Sequence, residues 1–435
     1  MRVEAFRADK GDCLLLTGGG GEHVLIDGGM RHSFGDHVAP ALAALAMDGV
    51  ELDLVCVSHI DQDHIAGILR MMDDTLDWRV YDFQRSQGNA HFPKPDSPRP
   101  PTVRALWHNS FSDITGENSG PIEDQLVANL RLLHLSDLIL PEEIAHHADA
   151  ATDLVNSIRE GILLSKRIGP DQLGIPVNQP AGGGVLLAPG AAGAPLQVGG
   201  LAFFVLGPFA EDLAALRTEW NAWLDENLEA LETIRRQAEE DADNLPMDEG
   251  QLVLSSLLAL AHELGDRGMV TTPNLASLML LLESDGHSLL LTGDGHADDI
   301  LRGLQAQAKL DAQGRIHVDL LKVQHHGSEH NLHAAFCQQV TADHYLFCAN
   351  GAHENPDLRV VELIIDSRLG PDATGPDRPF WFWFTSSPQL EASEARRRHL
   401  EQVRQLVDQA ARRSGSPRRL RYRFLTRGSS LSIEL

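Results

Sequence analysis

The run Ser58-His59-Ile60-Asp61-Gln62-Asp63-His64 decides how this chain is read. It places two histidines and two aspartates within six positions, directly behind Asp53-Leu54-Val55-Cys56-Val57, an apolar stretch short enough to be a buried strand. Imidazole and carboxylate are the ligands that Zn²⁺ and its neighbours prefer, and in a turn alternate side chains converge on two ions. A capping loop, with Asp63 capping the helix that follows, is the alternative reading. It employs one aspartate and leaves both histidines and Asp61 without a role. Behind the run, Ile65, Ile68, Leu69 and Met72 recur at helical spacing.

Two further apolar strands end in chemically competent residues. Leu290-Leu291-Thr292-Gly293-Asp294 carries a carboxylate to a sheet edge, where it can bridge two cations; alone it would read as a turn. Lys322-Val323-Gln324-His325-His326-Gly327-Ser328 brings a histidine pair to a third strand end, with Gly327 permitting a sharp turn. Each is weak in isolation, and three such loops in one chain point together to a metal centre.

Outward from these loops the chain reads as strands with interspersed helices. CLLL (13–16) and HVLIDGG (23–29) are strands around a glycine-rich turn, residues 38–48 a helix, and VRALWHN (103–109) a strand. Residues 120–180 turn helical, LAFFVLGP (201–208) is a strand, and 209–245 reads as one long charged helix with a solvated face. Strands at 277–283, 288–294, 318–324, 344–350, 380–384 and 420–425 follow, with a basic helix at 391–413. No fixed repeat appears. The pattern predicts an α/β or α+β sandwich divided as 1–118 and 251–370 for two halves of one core, 119–250 for a largely helical insertion with linking strands, and 371–435 for a strand-helix-strand that completes or flanks the core.

Composition narrows the function classes. At 435 residues with 43% apolar side chains the chain can bury a large core. No apolar run is long enough to span a bilayer, and the opening MRVEAFRADKGD lacks the character of a signal peptide, so a cytoplasmic protein is expected. Cys13, Cys56, Cys337 and Cys348 lack C-x-x-C spacing and are expected to be reduced and buried. A net charge of −26 counts against a broad face for duplex nucleic acid, although bound divalent cations would invert the field locally. Neither a G-x-S-x-G elbow nor a P-loop is found, so serine-nucleophile and nucleotide-motor chemistry find no support.

SHIDQDHIAGI, LLTGD and LKVQHHGS, in this order, resemble the metallo-β-lactamase fold, and most closely the branch typified by the DNA-uptake competence proteins. GDCLLL and VLIDGG (11–29), Pro273-Asn274-Leu275-Ala276-Ser277 and Asn350-Gly351-Ala352-His353-Glu354-Asn355-Pro356 extend the likeness, which covers roughly 1–115 and 200–365. The resemblance implies a four-layer αββα sandwich of the α+β class with a helical insertion, and two divalent ions. By it, His59 and Asp61 hold one ion, Asp63 and His64 the other, Asp294 bridges them, and His325 completes the second. His326 is left for a role behind the ligands or on the substrate. The commoner family pattern is His-x-His-x-Asp-His; Asp61 in place of the second histidine is a harder ligand and makes Mn²⁺ an option beside Zn²⁺. His108, at the end of VRALWHN, is the candidate third ligand of the first ion, with an ordinary loop histidine as its alternative. Asp27 is expected to orient a ligand loop. Ser328, Asn331 and His353 are candidates for receiving substrate, each also readable as a turn or cap residue.

Such a centre suits a metal-dependent hydrolase in which Asp63 or Asp294 orients a water and accepts its proton. A phosphodiester in nucleic acid or a nucleotide is the expected substrate, because the branch resembled acts there; the charge favours a small or single-stranded one. Two alternatives stay open: hydrolysis of a carbonyl substrate such as a lactone, thioester or amide, and a scaffold role in which the insertion docks a protein partner, since relatives in this branch accompany bacterial defence systems. No membrane partner is expected.

Overall fold

The computed structural model describes residues 1–110, 160–214, 217–218, 276–415 and 418–435. Most of the expected helical insertion, Pro273-Asn274-Leu275, and His146, His147 and His262, whose sequence positions read as ordinary surface or helix histidines, lie outside the described residues.

Successive side chains of each strand in the two sheets point to opposite faces, and because both faces of each sheet are covered, central strands such as Leu54–Cys56 and Met279–Ser284 are buried nearly throughout. The first contains β1 (Arg2–Phe6), β2 (Leu14–Thr17), β3 (His23–Ile26), β4 (Leu54–Cys56) and β5 (Leu106–Trp107). The second contains β6 (Leu196–Val198), β7 (Leu201–Gly207), β8 (Met279–Ser284), β9 (His287–Leu291), β10 (Ile316–Lys322), β11 (Val340–Phe347), β12 (Phe380–Phe384) and β13 (Leu420–Phe424), in the order β13-β12-β11-β10-β9-β8-β7-β6. The last strand, β14 (Ser430–Glu434), returns to the first sheet and pairs antiparallel with β1, giving β14-β1-β2-β3-β4-β5. Neither β1 nor β14 is among the strands expected from sequence; β1 lies between β2 and β14, and β14 joins the first sheet through β1, from the opposite end of the chain.

Helices cover the outer faces: α1 (Ala39–Met47), α2 (Gln62–Ser86), α3 (160–168), α4 (Ala297–Ala306), α5 (Ala334–Gln339), α6 (Leu358–Leu369) and α7 (Glu394–Arg413). Val24, Ile26, Leu54 and Cys56 face Leu280, Leu282, Leu289, Leu291 and Leu320 between the sheets. Leu25 and Val55 point the other way, onto Ile65, Ile68, Leu69 and Met72 of α2. On the far side Leu281, Leu290, Leu321 and Phe382 pack on Ile300, Leu304, Val360, Ile364, Val403 and Val407. The result is an αββα sandwich of the α+β class. Among the described residues no helix is long and apolar enough to cross a membrane. All four cysteines are buried and free, and burial pushes their thiols up.

The strands β3, β4 and β5 run parallel, as do β9, β10 and β11, so their C-terminal loops gather at one end of the sandwich. The first turns of α2 are docked there by backbone: Gly28 N–H donates to the His64 carbonyl at 2.8 Å, and Gly67 N–H to the Gly29 carbonyl at 2.9 Å. A Cβ on Gly67 would stand 2.1 Å from the Gly28 oxygen. Alanine in a helix interior is ordinarily better than glycine by roughly 1 kcal/mol. Here the backbone clash wins, and Gly67→Ala is expected to destabilise the protein by about 1–3 kcal/mol, read from the denaturant midpoint; an unchanged or higher midpoint would refute the close docking.

Candidate metal centre

The loop after β4 carries Ser58 to His64 into the gathered end. Asp61, not Asp63, stands at the N-cap position of α2, and its side chain makes no capping hydrogen bond; Asp63 lies in the first turn. The capping explanation of the run therefore fails on geometry. Asp27, which follows β3 with a left-handed φ of 55°, accepts hydrogen bonds from the Ser58 N–H and hydroxyl, each at 2.7 Å. His64 Nδ1 lies 2.9 Å from the same carboxylate, and His59 Nδ1 lies 3.0 Å from the Ser58 hydroxyl oxygen. With Ser58 donating to Asp27, both imidazoles carry a hydrogen on Nδ1 and turn Nε2 inward.

The histidine pair after β10 is held by the same device. His325 Nδ1 meets the Asn331 amide oxygen at 2.6 Å, while the Asn331 amide donates to the Asp294 carbonyl at 2.9 Å. His326 Nδ1 faces the Cys348 carbonyl at 2.9 Å. Both residues adopt left-handed backbone, φ 46° and 55°, which costs about 1–3 kcal/mol each for a non-glycine residue. A loop held in that conformation by its surroundings aims both rings at one point.

That point is Asp294, behind β9. His64 Nε2 is 3.4 Å from its Oδ1; His59, His325 and His326 Nε2 are 3.7, 3.6 and 3.6 Å from its Oδ2. Asp61 reaches His59 Nε2 at 3.4 Å, and Asp63 reaches His326 Nε2 at 3.2 Å. The sequence-predicted ligands His59, Asp61, Asp63, His64, Asp294 and His325 are thus brought together. His326 joins them more deeply buried than His325, whose side chain is 31% exposed.

The remaining candidates are placed as follows. His108, at the end of β5, is buried with neither ring nitrogen hydrogen-bonded, and burial, then the neighbouring His59, lowers it to about 4. Asn331 is buried and spent on bracing His325 and Asp294, and Ser328 is buried within the same loop. His353 is exposed, on the short helical turn Ala352–Glu354 at left-handed φ 52°. Sequence reasoning assigned no role to Ser58, Asp12 or Lys322, all buried here. A lone lysine inside the apolar run of β10 was the available signal, because lysine is almost never fully buried unless paired.

The residues fit a divalent cation. His59, His64 and His326 Nε2 and Asp294 Oδ1 are buried without a hydrogen-bond partner, each an expense of about 1–3 kcal/mol if left so. Ligand atoms of Asp12, His64, Asp294 and His326 lie within 4.8 Å of one another. Electrostatics agree. Burial opposes the His326 cation, yet Asp294 and Asp12 raise it to about 10, and Asp294, Asp27 and Asp12 likewise outweigh burial at His64. Burial also opposes ionisation of Asp294 and Asp63, but the surrounding histidines hold both well below the carboxylate range.

Residues 7–75 match the family model described as the metallo-beta-lactamase superfamily. The matched segment contains Asp12, Asp27 and the His59–His64 run, and it supports the metallo-β-lactamase fold. No curated protein matches the chain. The family match and the buried Asp/His group together fit a metal-dependent hydrolase.

In the metal-free protein, protons on His64 and His326 are bound more tightly by the folded state than by the unfolded chain, whose histidines titrate near 6.5. Their contribution to stability is full below that pH and is lost as pH rises toward about 10. Chelator-treated protein should therefore have a lower denaturant midpoint at pH 9 than at pH 6.5; an equal or higher midpoint would show that the two rings are neutral in the fold.

Proposed function

We propose that this chain is a two-metal hydrolase acting on a phosphodiester, small or single-stranded, with Mn²⁺ or Zn²⁺ as its ions. The observation that carries the reading is the convergence of unpartnered Nε2 atoms of His59, His64 and His326 on Asp294, flanked by Asp61 and Asp63. Such a donor set, half oxygen and half nitrogen, suits borderline to hard divalent ions.

His59 and Asp61 would hold one ion, with His108 as a third ligand, and Asp63 and His64 the other, with Asp294 between them. His326 is preferred to His325 on the second ion, because it reaches Asp63 and is the more buried of the pair. When bound, the ions supply a water ionised near neutral pH and positive charge at the attacked centre. Everything else falls to the chain. Asp27 and Ser58 keep the His59 and His64 rings oriented, and Asn331 does the same for His325. Asp63, 16% exposed and held ionised by its histidine neighbours, orients the attacking water and accepts its proton, with Asp294 as the alternative acceptor. His353, exposed on the Ala352–Glu354 turn, and Ser328 are assigned to receive the substrate's anionic oxygens.

A phosphodiester is preferred to a carbonyl substrate on charge. Residues 394–427 carry eleven arginines against three acids within a chain of net −26, which concentrates cations on α7 and β13. Arg396 of α7 lies 3.4 Å from Asp9, in the loop that also carries Asp12. Within the described part of the insertion, α3 packs against the motif loop: a Cβ on Gly161 would stand 3.4 Å from Ile60. Free, buried cysteines favour a reducing compartment, the cytoplasm.

The test is hydrolysis of an activated phosphodiester by metal-reconstituted protein, Mn²⁺ and Zn²⁺ compared, beside a chelator control and Asp63→Ala. Turnover is expected to vanish with chelator and to fall at least about 100-fold in the variant, the lower range for loss of a positioned acid or base. Protein loaded with two ions yet inert toward the diester, but active on a lactone or thioester, would overturn the substrate assignment; failure to bind metal would overturn the enzyme reading.

A further inference from the structure

Asp12 and Lys322 form a buried ion pair under the centre, side chains 3% and 2% exposed. The Lys322 ammonium contacts Asp12 Oδ2 and donates to the Gly293 carbonyl at 3.0 Å, and it lies 3.7 Å from Asp294 Oδ1. The other Asp12 oxygen lies 3.2 Å from His326 Nδ1, and Oδ2 lies 3.8 Å from His64 Nδ1. Asp12 therefore approaches these two rings from the Nδ1 side, whereas Asp294 and Asp63 meet them at Nε2. Asp12 lies within 4.8 Å of ligand atoms of His64, Asp294 and His326, but its oxygens face the Nδ1 atoms and one of them is taken by the Lys322 ammonium, which suits bracing the rings better than sharing an ion with their Nε2 atoms.

We infer that Asp12 and Lys322 act as a positioning pair for the metal centre, Asp12 fixing His326 from behind while Lys322 locks Asp12 to the Gly293-Asp294 loop. The inference rests on the two-metal reading above. One ammonium thereby ties three chain segments: the β1–β2 loop, the exit of β9 and the exit of β10. The Gly11 backbone permits the first of these contacts, since a Cβ there would fall 1.8 Å from the Asp63 carbonyl oxygen. Lys322 also supplies charge that no ion needs to provide. Asp12, Asp27, Asp61, Asp63 and Asp294 gather five carboxylates at this end, and two divalent cations with one ammonium balance them. Carboxylates behind metal-bound histidines orient the ring and raise its basicity, and their loss costs about 10–100-fold in metal affinity.

Asp12→Asn leaves the Lys322 ammonium buried without its anion, so it can fail to fold for that reason alone. The double variant Asp12→Asn/Lys322→Met removes both charges and decides the matter. Chelator-stripped wild type and double variant are titrated calorimetrically with MnCl₂ and separately with ZnCl₂, and thermal melting is recorded without metal. The expected result is a double variant that melts cooperatively, binds its tighter ion as the wild type does and its second ion about 10–100-fold more weakly. Two ions bound at wild-type affinity by the double variant would overturn this inference while leaving the hydrolase reading intact. A wild type that takes up neither metal would overturn both.

Discussion

Everything at the working end of this molecule depends on how the imidazole Nδ1 atoms are tied down. A histidine presents either nitrogen to a cation, and the hydrogen bond made by the other decides which. Here His59 is held by Ser58, His64 by Asp27, His325 by Asn331 and His326 by the Cys348 carbonyl. With four rings fixed from behind, four Nε2 atoms face the carboxylates of Asp61, Asp63 and Asp294. Remove the anchors and the same residues would be an assortment of polar side chains in an apolar sandwich.

The sandwich makes those anchors affordable. Two sheets packed face to face expel water from between them, and the helices close the outer faces. At the end where the parallel strands finish, this dry interior meets a concentration of charge that burial alone would neutralise. Mutual pairing keeps it charged: Asp294 and Asp63 stay ionised, and His64 and His326 stay protonated until something displaces the protons. Metal binding exchanges protons for ions in such a cluster, so affinity rises with pH. Asp12 belongs to the same balance, since burial is outweighed by Lys322 and by the histidines, and its carboxyl sits at about 2.

Strain is part of the arrangement. Asp27, His325 and His326 all take left-handed backbone, and each touches the centre. Non-glycine residues are kept in that region only where their surroundings over-determine it. The hydrogen bonds of Ser58 to Asp27 and of Asn331 to His325 and Asp294 supply that determination locally.

From sequence alone the fold class was legible, because short apolar runs ending in His/Asp turns and helices with a single apolar stripe are local patterns. The side chains at the three strand ends were legible for the same reason: His59, Asp61, Asp63, His64, Asp294 and the His325-His326 pair sit next to apolar runs that a reader can see. What tertiary structure decided is which of those groups lie in front of the centre and which behind. Asp12 is close to Lys322 only because β1, β2 and β10 belong to opposed sheets, and β14 closes the first sheet only by crossing the whole chain. Nor could spacing rank His325 against His326, since neighbours in sequence differ in burial once a left-handed turn sends one ring inward and leaves the other at the rim. Local periodicity is written in a few consecutive residues; the direction of a ring nitrogen is set by how the fold poses its partner, whether that partner is the adjacent Ser58 for His59 or Asp27, 37 residues away, for His64.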